Sequence, residues 1–309
     1  MAKRWTIENM PDQTGKIVIV TGATHGLGYE VAKAFAAKNA TLILAVRNTA
    51  LGQERLAEFA TINPAAKMEV MPLQLDDLAS VRQFAEAFKS KYQRLDVLVN
   101  NAGIMAVPLG KTKDGFEMHI GVNYLGHYAL TGLLLPLIKQ TPGCRVIAVS
   151  SEAEKMGNIE ALLADFDYAK GYERWKAYGH SKLAQLMFAN ELNRLFKQHG
   201  YQAEAIGAHP GFARTNLRLS VIPTERNLFH RYLNMFFELI SQSQELGALP
   251  LLYAATAPEA QGGNYYGVSR FRMWGYPAIN HSSRRSKDEQ VAKQLWSKSE
   301  AVTGIHYEF

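Results

Sequence analysis

Tyr178 and Lys182 stand four residues apart in the stretch AYGHSKLA at 177–184, with Ser181 between them. Two chemistries are open. A phenol and an amine one helical turn apart share a face and can converge on one site. That arrangement suits transfer of a proton to or from a reacting oxygen. Gly179-His180-Ser181-Lys182-Leu183, by contrast, is one glycine short of the G-x-S-x-G elbow of a serine hydrolase. An elbow needs a strand before the serine and a glycine after it. Here GYERWK at 171–176 precedes Ser181, and Leu183 occupies the second glycine position. The following run, LAQLMFANELNRLF, reads as an amphipathic helix that takes in Ser181. The acid–base pair is retained.

A free tyrosine titrates near pH ~10, so work near neutrality asks for roughly 4 kcal/mol of differential stabilisation. An ammonium about 5 Å away, at an effective dielectric of ~20, supplies on the order of 3 kcal/mol. Lys182 is therefore expected to depress the pKa of Tyr178, and a second positive charge bound nearby would add to the effect.

A second constellation lies near the N-terminus. Thr21-Gly22-Ala23-Thr24-His25-Gly26-Leu27-Gly28 follows a first candidate strand and opens a first helix. Glycines there permit a tight turn and close approach of backbone to a diphosphate, whose charge the helix N-terminus favours. The spacing is GxxxGxG rather than GxGxxG. A site for NAD places an acid near the end of the second strand to bond the ribose 2′-hydroxyl. This strand ends Ala45-Val46-Arg47-Asn48, and no Asp or Glu occurs between Glu30 and Glu54. Without a carboxylate a 2′-phosphate is not repelled, and the Arg47 guanidinium can bond one bidentately. NADP(H) is the expected cofactor, with His25 a second contact if protonated.

Elements must hold these residues. Residues 16–20, 41–46, 68–73, 95–99, 145–149 and 203–208 are short Val/Ile/Leu-rich runs, and 264–268 adds a seventh strand at an edge. Between them, segments such as 29–38, 78–91 and 181–196 repeat apolar residues at three- and four-residue spacing. This alternation predicts an α/β fold, a mostly parallel sheet of about seven strands with helices on both faces. No linker, repeat or low-complexity tract divides the chain, so residues 1–309 read as a single domain. Residues 152–176 and 220–244 fit the pattern least. Each follows a candidate strand, where open parallel sheets bind ligands, so both are candidate substrate walls.

Bulk properties exclude little but exclude it cleanly. A net charge of +6 is too mild, and Arg284-Arg285 too short a cluster, to argue for nucleic acid. Cys144 is the single cysteine, so no internal disulfide or cysteine metal site forms, which fits a reducing cytoplasm. The start MAKRWTIENMPDQ lacks the apolar core of a signal peptide. The apolar run 246–257 is too short for a bilayer and contains Pro250, so no transmembrane segment is expected. His119, His127, His199, His230, His281 and His306 have no metal-ligand spacing, and no metal is expected.

Several motifs in order make the sequence resemble the short-chain dehydrogenase/reductase family over roughly residues 14–270. They are TGATHGLG at 21–28, NNAG at 100–103, Asn123 in GVNYLGHYALT, the pair Ser150-Ser151, YGHSK at 178–182 and HPGFART at 209–215. The family's glycine spacing is GxxxGxG. VNYLGHYALT, YGHSKLA and the strand end Ala45-Val46-Arg47-Asn48 look most like its retinol-dehydrogenase-like and protochlorophyllide-reductase-like branch. The resemblance implies a Rossmann-type doubly wound fold and assigns roles. Tyr178 would be the general acid/base, and Lys182 would lower its pKa and hold the nicotinamide ribose. Ser151, the second serine of the pair, would bond the substrate oxygen. Asn123 would hold a water that relays protons by way of Lys182, unless it is simply a helix-kink residue.

The same resemblance places Gly22, Thr24, His25, Gly26, Leu27 and Gly28 at the diphosphate, and Arg47 and Asn48 at the adenosine ribose. Asn100, Ala102 and Gly103 would line the adenosine side, and Pro210, Gly211 and Thr215 would meet the carboxamide. Gln74 stands where relatives carry an Asp facing the adenine. Its oxygen can accept the same bond, and Leu75 contributes backbone, with Asp76 a substitute. The stretch between Ser151 and Tyr178, which includes Tyr172 and Trp175, is longer than usual and would lie beside the active site, which leaves monomer or homodimer open. Residues 220–244, with Phe229, Tyr232, Met235, Phe236 and Phe237, look like a lid over an apolar substrate or a membrane-surface helix. The activity expected is interconversion of a carbonyl and an alcohol on an apolar small molecule. Reduction of a ring C=C bond and cofactor sensing without turnover are the rivals.

Overall fold

Val18 and Val20 are fully buried on one side of the first strand and Ile19 on the other. Successive strand side chains alternate between faces, so a run of apolar residues implies cover on both. The structure, a computed structural model, describes residues 4–213 and 241–309. Its strands are β1 (Ile17–Thr21), β2 (Thr41–Val46), β3 (Met68–Pro72), β4 (Val97–Asn100), β5 (Arg145–Val149), β6 (Glu204–Ala208), β7 (Tyr265–Arg270) and β8 (Trp274–Ile279). They form one sheet in the order β3-β2-β1-β4-β5-β6-β7-β8, parallel throughout except for the antiparallel pair β7–β8.

Parallel neighbours need long crossovers, and helices supply them. One face carries α1 (Gly26–Ala37), α2 (Thr49–Ile62) and α8 (Gln244–Thr256), packed through Val31, Phe35, Phe59 and Leu251 onto Val18, Leu42 and Val99. The other carries α3 (Leu78–Lys91), α4 (Gly126–Leu133), α5 (Leu135–Gln140), α6 (Ile159–Ala164), α7 (Arg174–Gln198) and α9 (Glu289–Thr303). The chain reverses direction across the sheet between β1 and β4, and a crevice opens beyond their carboxyl ends. The expected doubly wound fold is observed, with eight strands among the described residues. Residues 265–270 are not the edge: β8 pairs outside them.

Two features bear on the site. The helix leading into α4 is π-wound over Ile120–Leu125, centred on Asn123. The C-terminal segment covers the outer side of α4 and α7: Tyr124 Oη bonds Ser299 Oγ at 2.7 Å, and Tyr307 Oη donates to the Tyr128 carbonyl at 2.6 Å. No helix among the described residues is long and apolar enough to cross a membrane.

Candidate active site

The glycine loop is shaped by what a side chain would strike. Gly22 has φ +68°, and a Cβ on it would lie 3.0 Å from Ala102 Cα. A Cβ on Gly28 would overlap the Gly22 carbonyl and the Asn101 amide. The loop is fastened to the end of β4. Asn101 and Ala102 donate their backbone N–H groups to Thr21 Oγ1 at 2.9 and 3.0 Å, and Asn101 Nδ2 donates to Thr21 O at 2.8 Å. Leu27 is buried beneath the loop, and His25 Nδ1 lies 3.1 Å from Thr24 Oγ1. No side chain caps the first turn of α1. Arg47 and Asn48 are exposed at the end of β2, where Asn48 Oδ1 accepts from Leu51 N and starts α2.

Across the crevice, Gln74 donates its N–H to Ser80 Oγ, and Leu75 packs under Gly126. Asn100 is fully buried; its Nδ2 donates to Thr131 Oγ1 at 3.1 Å, so its side chain faces the interior. Pro210 and Gly211 follow β6, where the Gly211 N–H donates to His209 Nδ1. Thr215 and residues 220–240, including Phe229, Tyr232, Met235, Phe236 and Phe237, lie outside the described residues.

The candidate chemical groups converge between β4, β5 and α7. The Ser151 hydroxyl lies beside the Tyr178 phenol and acts to lower its pKa. Lys182 Nζ lies 5.9 Å from the centre of the Tyr178 ring and donates to Val149 O at 2.8 Å and Gln185 Oε1 at 3.0 Å. Asn123 closes the floor. Its Nδ2 donates to Ser181 Oγ at 2.9 Å and to Ile104 O, while its Oδ1 accepts from Ile104 N at 2.8 Å. Gly103 lies directly above, where a Cβ would sit 3.0 Å from Asn123 Oδ1 and 3.7 Å from Lys182 Nζ. Ser181 is buried in mid-helix and donates to Tyr178 O, which disposes of the elbow reading.

The chain has relatives among known proteins. A family model described as short chain dehydrogenase matches residues 16–163. Mouse retinol dehydrogenase 12 is 36% identical over 95% of the chain and 88% of its own length. The chain belongs to the short-chain dehydrogenase/reductase family. Mouse polyprenol dehydrogenase is 35% identical over 96% of the chain and 86% of its own length. A crystal structure of a protein from Mycobacterium paratuberculosis superposes with a TM-score of 0.82 at 38% identity, covering 99% of the chain and all of that structure. Within this oxidoreductase family the sequence is retinol-dehydrogenase-like.

Electrostatics of this family member depart from the expectation for its lysine. Burial pushes the Tyr178 phenol up to about 12, opposed by the Ser151 hydroxyl, and pushes Lys182 down to about 7. Both groups are enclosed, so desolvation of the charged form outweighs the attraction between them. The protein alone thus holds a protonated phenol and an amine poised near neutrality.

The bonds made by several residues went unforeseen. His127 bridges the two halves of the crevice: its Nδ1–H donates to Asn123 O at 3.1 Å, and its Nε2 lies 3.0 Å from Thr21 Oγ1. Burial pushes it down to about 4, and it is neutral. Arg55 Nε donates to Thr24 O of the glycine loop at 3.1 Å. The long stretch before Tyr178 is tied down by two tyrosines. Tyr168 Oη bonds His180 Nδ1 at 2.9 Å, and Tyr172 Oη donates to Val107 O at 2.8 Å beside the buried Glu117–His119 pair. Gln185, three residues beyond Lys182, had a legible signal in its helical spacing.

Proposed function

We propose that this chain is an NADP(H)-dependent oxidoreductase that interconverts a carbonyl and an alcohol on an apolar small molecule. One observation carries the reading: Tyr178 and Lys182 are buried together at the end of β5 beside the half-buried Ser151, next to the crevice that the glycine loop borders. The residues fit the cofactor. Gly22 and Gly28 form a cradle that any Cβ would fill, and Gly103 leaves open the space above Lys182 and Asn123. Backbone of residues 22–28 would hold the diphosphate, and exposed Arg47, with no Asp or Glu between Glu30 and Glu54 in the sequence, would pair with the 2′-phosphate. Gln74, Leu75, Ala102 and Gly103 would border the adenosine, with Asn100 supporting that wall from inside. Pro210, Gly211 and Thr215 would border the carboxamide.

NADPH, when bound, would supply a hydride for the carbonyl carbon. Ser151 donates a hydrogen bond to the carbonyl oxygen and stabilises the charge that grows there. Tyr178, protonated through neutrality, gives that oxygen its proton. Lys182, when charged, stabilises the phenolate left behind. The amide of Asn123 is committed to Ile104 and Ser181, so a water relay toward Lys182 would start from its backbone carbonyl. Trp175, 41% exposed with its ring 6.3 Å from that of Tyr178, offers an apolar wall to the substrate. The names of the retinol and polyprenol dehydrogenases among its relatives favour a long apolar primary alcohol or its aldehyde.

The test is NADPH consumption with separate panels of apolar aldehydes, ketones and enones. Reduction of aldehydes or ketones, abolished in Tyr178→Phe, is the expected result. Reduction of the C=C bond alone, or wild-type turnover in Tyr178→Phe, would overturn it.

A further inference from the structure

Two acceptors hold the amine of Lys182, and only one of them belongs to the main chain. Besides Val149 O at 2.8 Å, Nζ donates to Gln185 Oε1 at 3.0 Å. Gln185 is fastened from its other end, where Nε2 donates to the Asn100 carbonyl at 3.1 Å. That bond fixes the orientation of the amide. A carbonyl pairs only with the amide nitrogen, so the amide oxygen is turned toward the lysine. Gln185 is 1% exposed and Lys182 5%. A buried amide with both ends satisfied is held rigidly, because releasing either end would strand a polar group away from water.

The acceptor is also uncharged. Among the described residues, Tyr178 on the same helix and His127 on α4 lie near Lys182, and neither is a carboxylate. A glutamate at 185 would pin the amine as an ammonium. An apolar residue would leave it one side-chain acceptor short and free to leave the end of β4.

We propose that Gln185 is a positioning residue for proton transfer by Tyr178 and Lys182, holding Nζ in register with the ends of β4 and β5 through an acceptor that carries no charge. The proposal rests on the acid–base reading of Tyr178 and Lys182 given above. It accounts for a glutamine where a hydrophobic residue would pack as well, since the strut links three parts of the site: α7, β5 and the NNAG segment after β4. Burial pushes Lys182 down to about 7 beside this neutral partner, so its charge is set within the working range.

The experiment compares the full chain with its Gln185→Glu and Gln185→Met variants in NADPH-dependent carbonyl reduction from about pH 6 to 10, with thermal unfolding in parallel. Gln185→Glu is expected to move the high-pH decline of kcat/KM upward by about one pH unit or more, because a carboxylate keeps the lysine charged. Gln185→Met is expected to lower kcat about tenfold or more at little change in carbonyl KM, as loss of a transition-state interaction does. A role in packing alone would shift the melting temperature and leave both the pH profile and kcat in place, and that result overturns the proposal. Should Gln185→Glu not fold, unaltered kcat in Gln185→Met decides against it. Should Gln185→Met not fold, an unmoved decline in Gln185→Glu does the same. Tyr178→Phe separates the two levels. Wild-type turnover there sinks the acid–base reading itself, whereas an inactive Tyr178→Phe with unmoved Gln185 variants sinks only the role of Gln185.

Discussion

The hydroxyl of Ser150 donates to the backbone carbonyl of Lys182 at 2.8 Å, inside the protein. Its neighbour Ser151, in extended backbone at φ −156° and ψ 160°, turns the other way and meets the Tyr178 phenol. Alternation along an extended chain separates the two hydroxyls, one into the core and one into the crevice. Ser151→Ala is expected to lower kcat about 10²- to 10³-fold with little change in melting temperature. Ser150→Ala is expected to cost about 1 kcal/mol of stability and to leave kcat within a few-fold of wild type. Steady-state kinetics paired with thermal melts of both variants check this, and equal losses of kcat would erase the distinction.

The pH dependence of reduction follows from two burial-driven shifts. The phenol, up at about 12, remains protonated through neutrality and is not the limiting group. Lys182, down at about 7, loses its charge as pH rises through that value, and with it the stabilisation of the phenolate that proton transfer leaves. The kcat/KM for carbonyl reduction is expected to be flat on the acid side and to decline above about pH 7. Lys182→Met should have a low rate without that inflection. An inflection retained in the variant would assign it to another group.

Much of the fold was legible in the sequence because each of β1 to β6 is a short apolar run followed by a helix-period segment. The last strand was not. Trp274–Ile279 contains Gly275 and Pro277, residues that argue against an interior strand. They are tolerated because β8 forms the antiparallel edge. The chemical residues announced themselves by motif, and the partners that hold them did not. Gln185, His127 and Tyr172 act through bonds to residues 85, 106 and 65 positions away. Long-range pairing of that kind leaves no local pattern, although the bond of Gln185 to Lys182 follows helical spacing. The expectation for Tyr178 failed for a related reason: spacing reports the distance to a charge, whereas burial depends on everything else that packs around it.

His127 makes a prediction about stability. Its pKa is depressed to about 4 by burial, whereas an unfolded histidine titrates near ~6.5. Between those values the unfolded chain binds a proton that the folded chain does not, so stability falls as pH drops through that window. At most about 3 kcal/mol is at stake by pH ~4. Urea unfolding at pH ~7 and ~4.5 should show a smaller acid loss in His127→Gln than in wild type, although the variant starts lower for want of its bonds to Thr21 and Asn123. Identical acid losses would mean that His127 is not neutral in the fold.

Preference for NADPH over NADH is expected to lie in Arg47. The guanidinium is exposed at the end of β2, and Asn48 beside it is occupied in starting α2. Arg47→Ala is expected to raise KM for NADPH about tenfold while KM for NADH stays where it is, because the ribose hydroxyl of NADH makes no use of the charge. The NADPH effect should shrink as salt rises. A parallel loss with both cofactors would place Arg47 in the fold of the loop rather than in recognition.

Trp175 makes the prediction that bears on the substrate. The segment carrying it is anchored at Tyr172, whose hydroxyl donates to Val107 O, and at Tyr168, bonded to His180. The wall is therefore held in place by two tyrosines that precede the tryptophan, and its ring meets that of Tyr178 edge-on. Removing it leaves the acid–base groups where they are and strips apolar surface from the mouth of the crevice. Trp175→Ala is expected to raise KM for long-chain apolar aldehydes about tenfold, the equivalent of about 1–2 kcal/mol of lost apolar contact. The kcat for a short aldehyde and the affinity for NADPH should hardly change. Aldehydes of increasing chain length, compared between wild type and variant, check this. A loss that is the same at every chain length would show that the ring supports Tyr178 and does not touch the substrate.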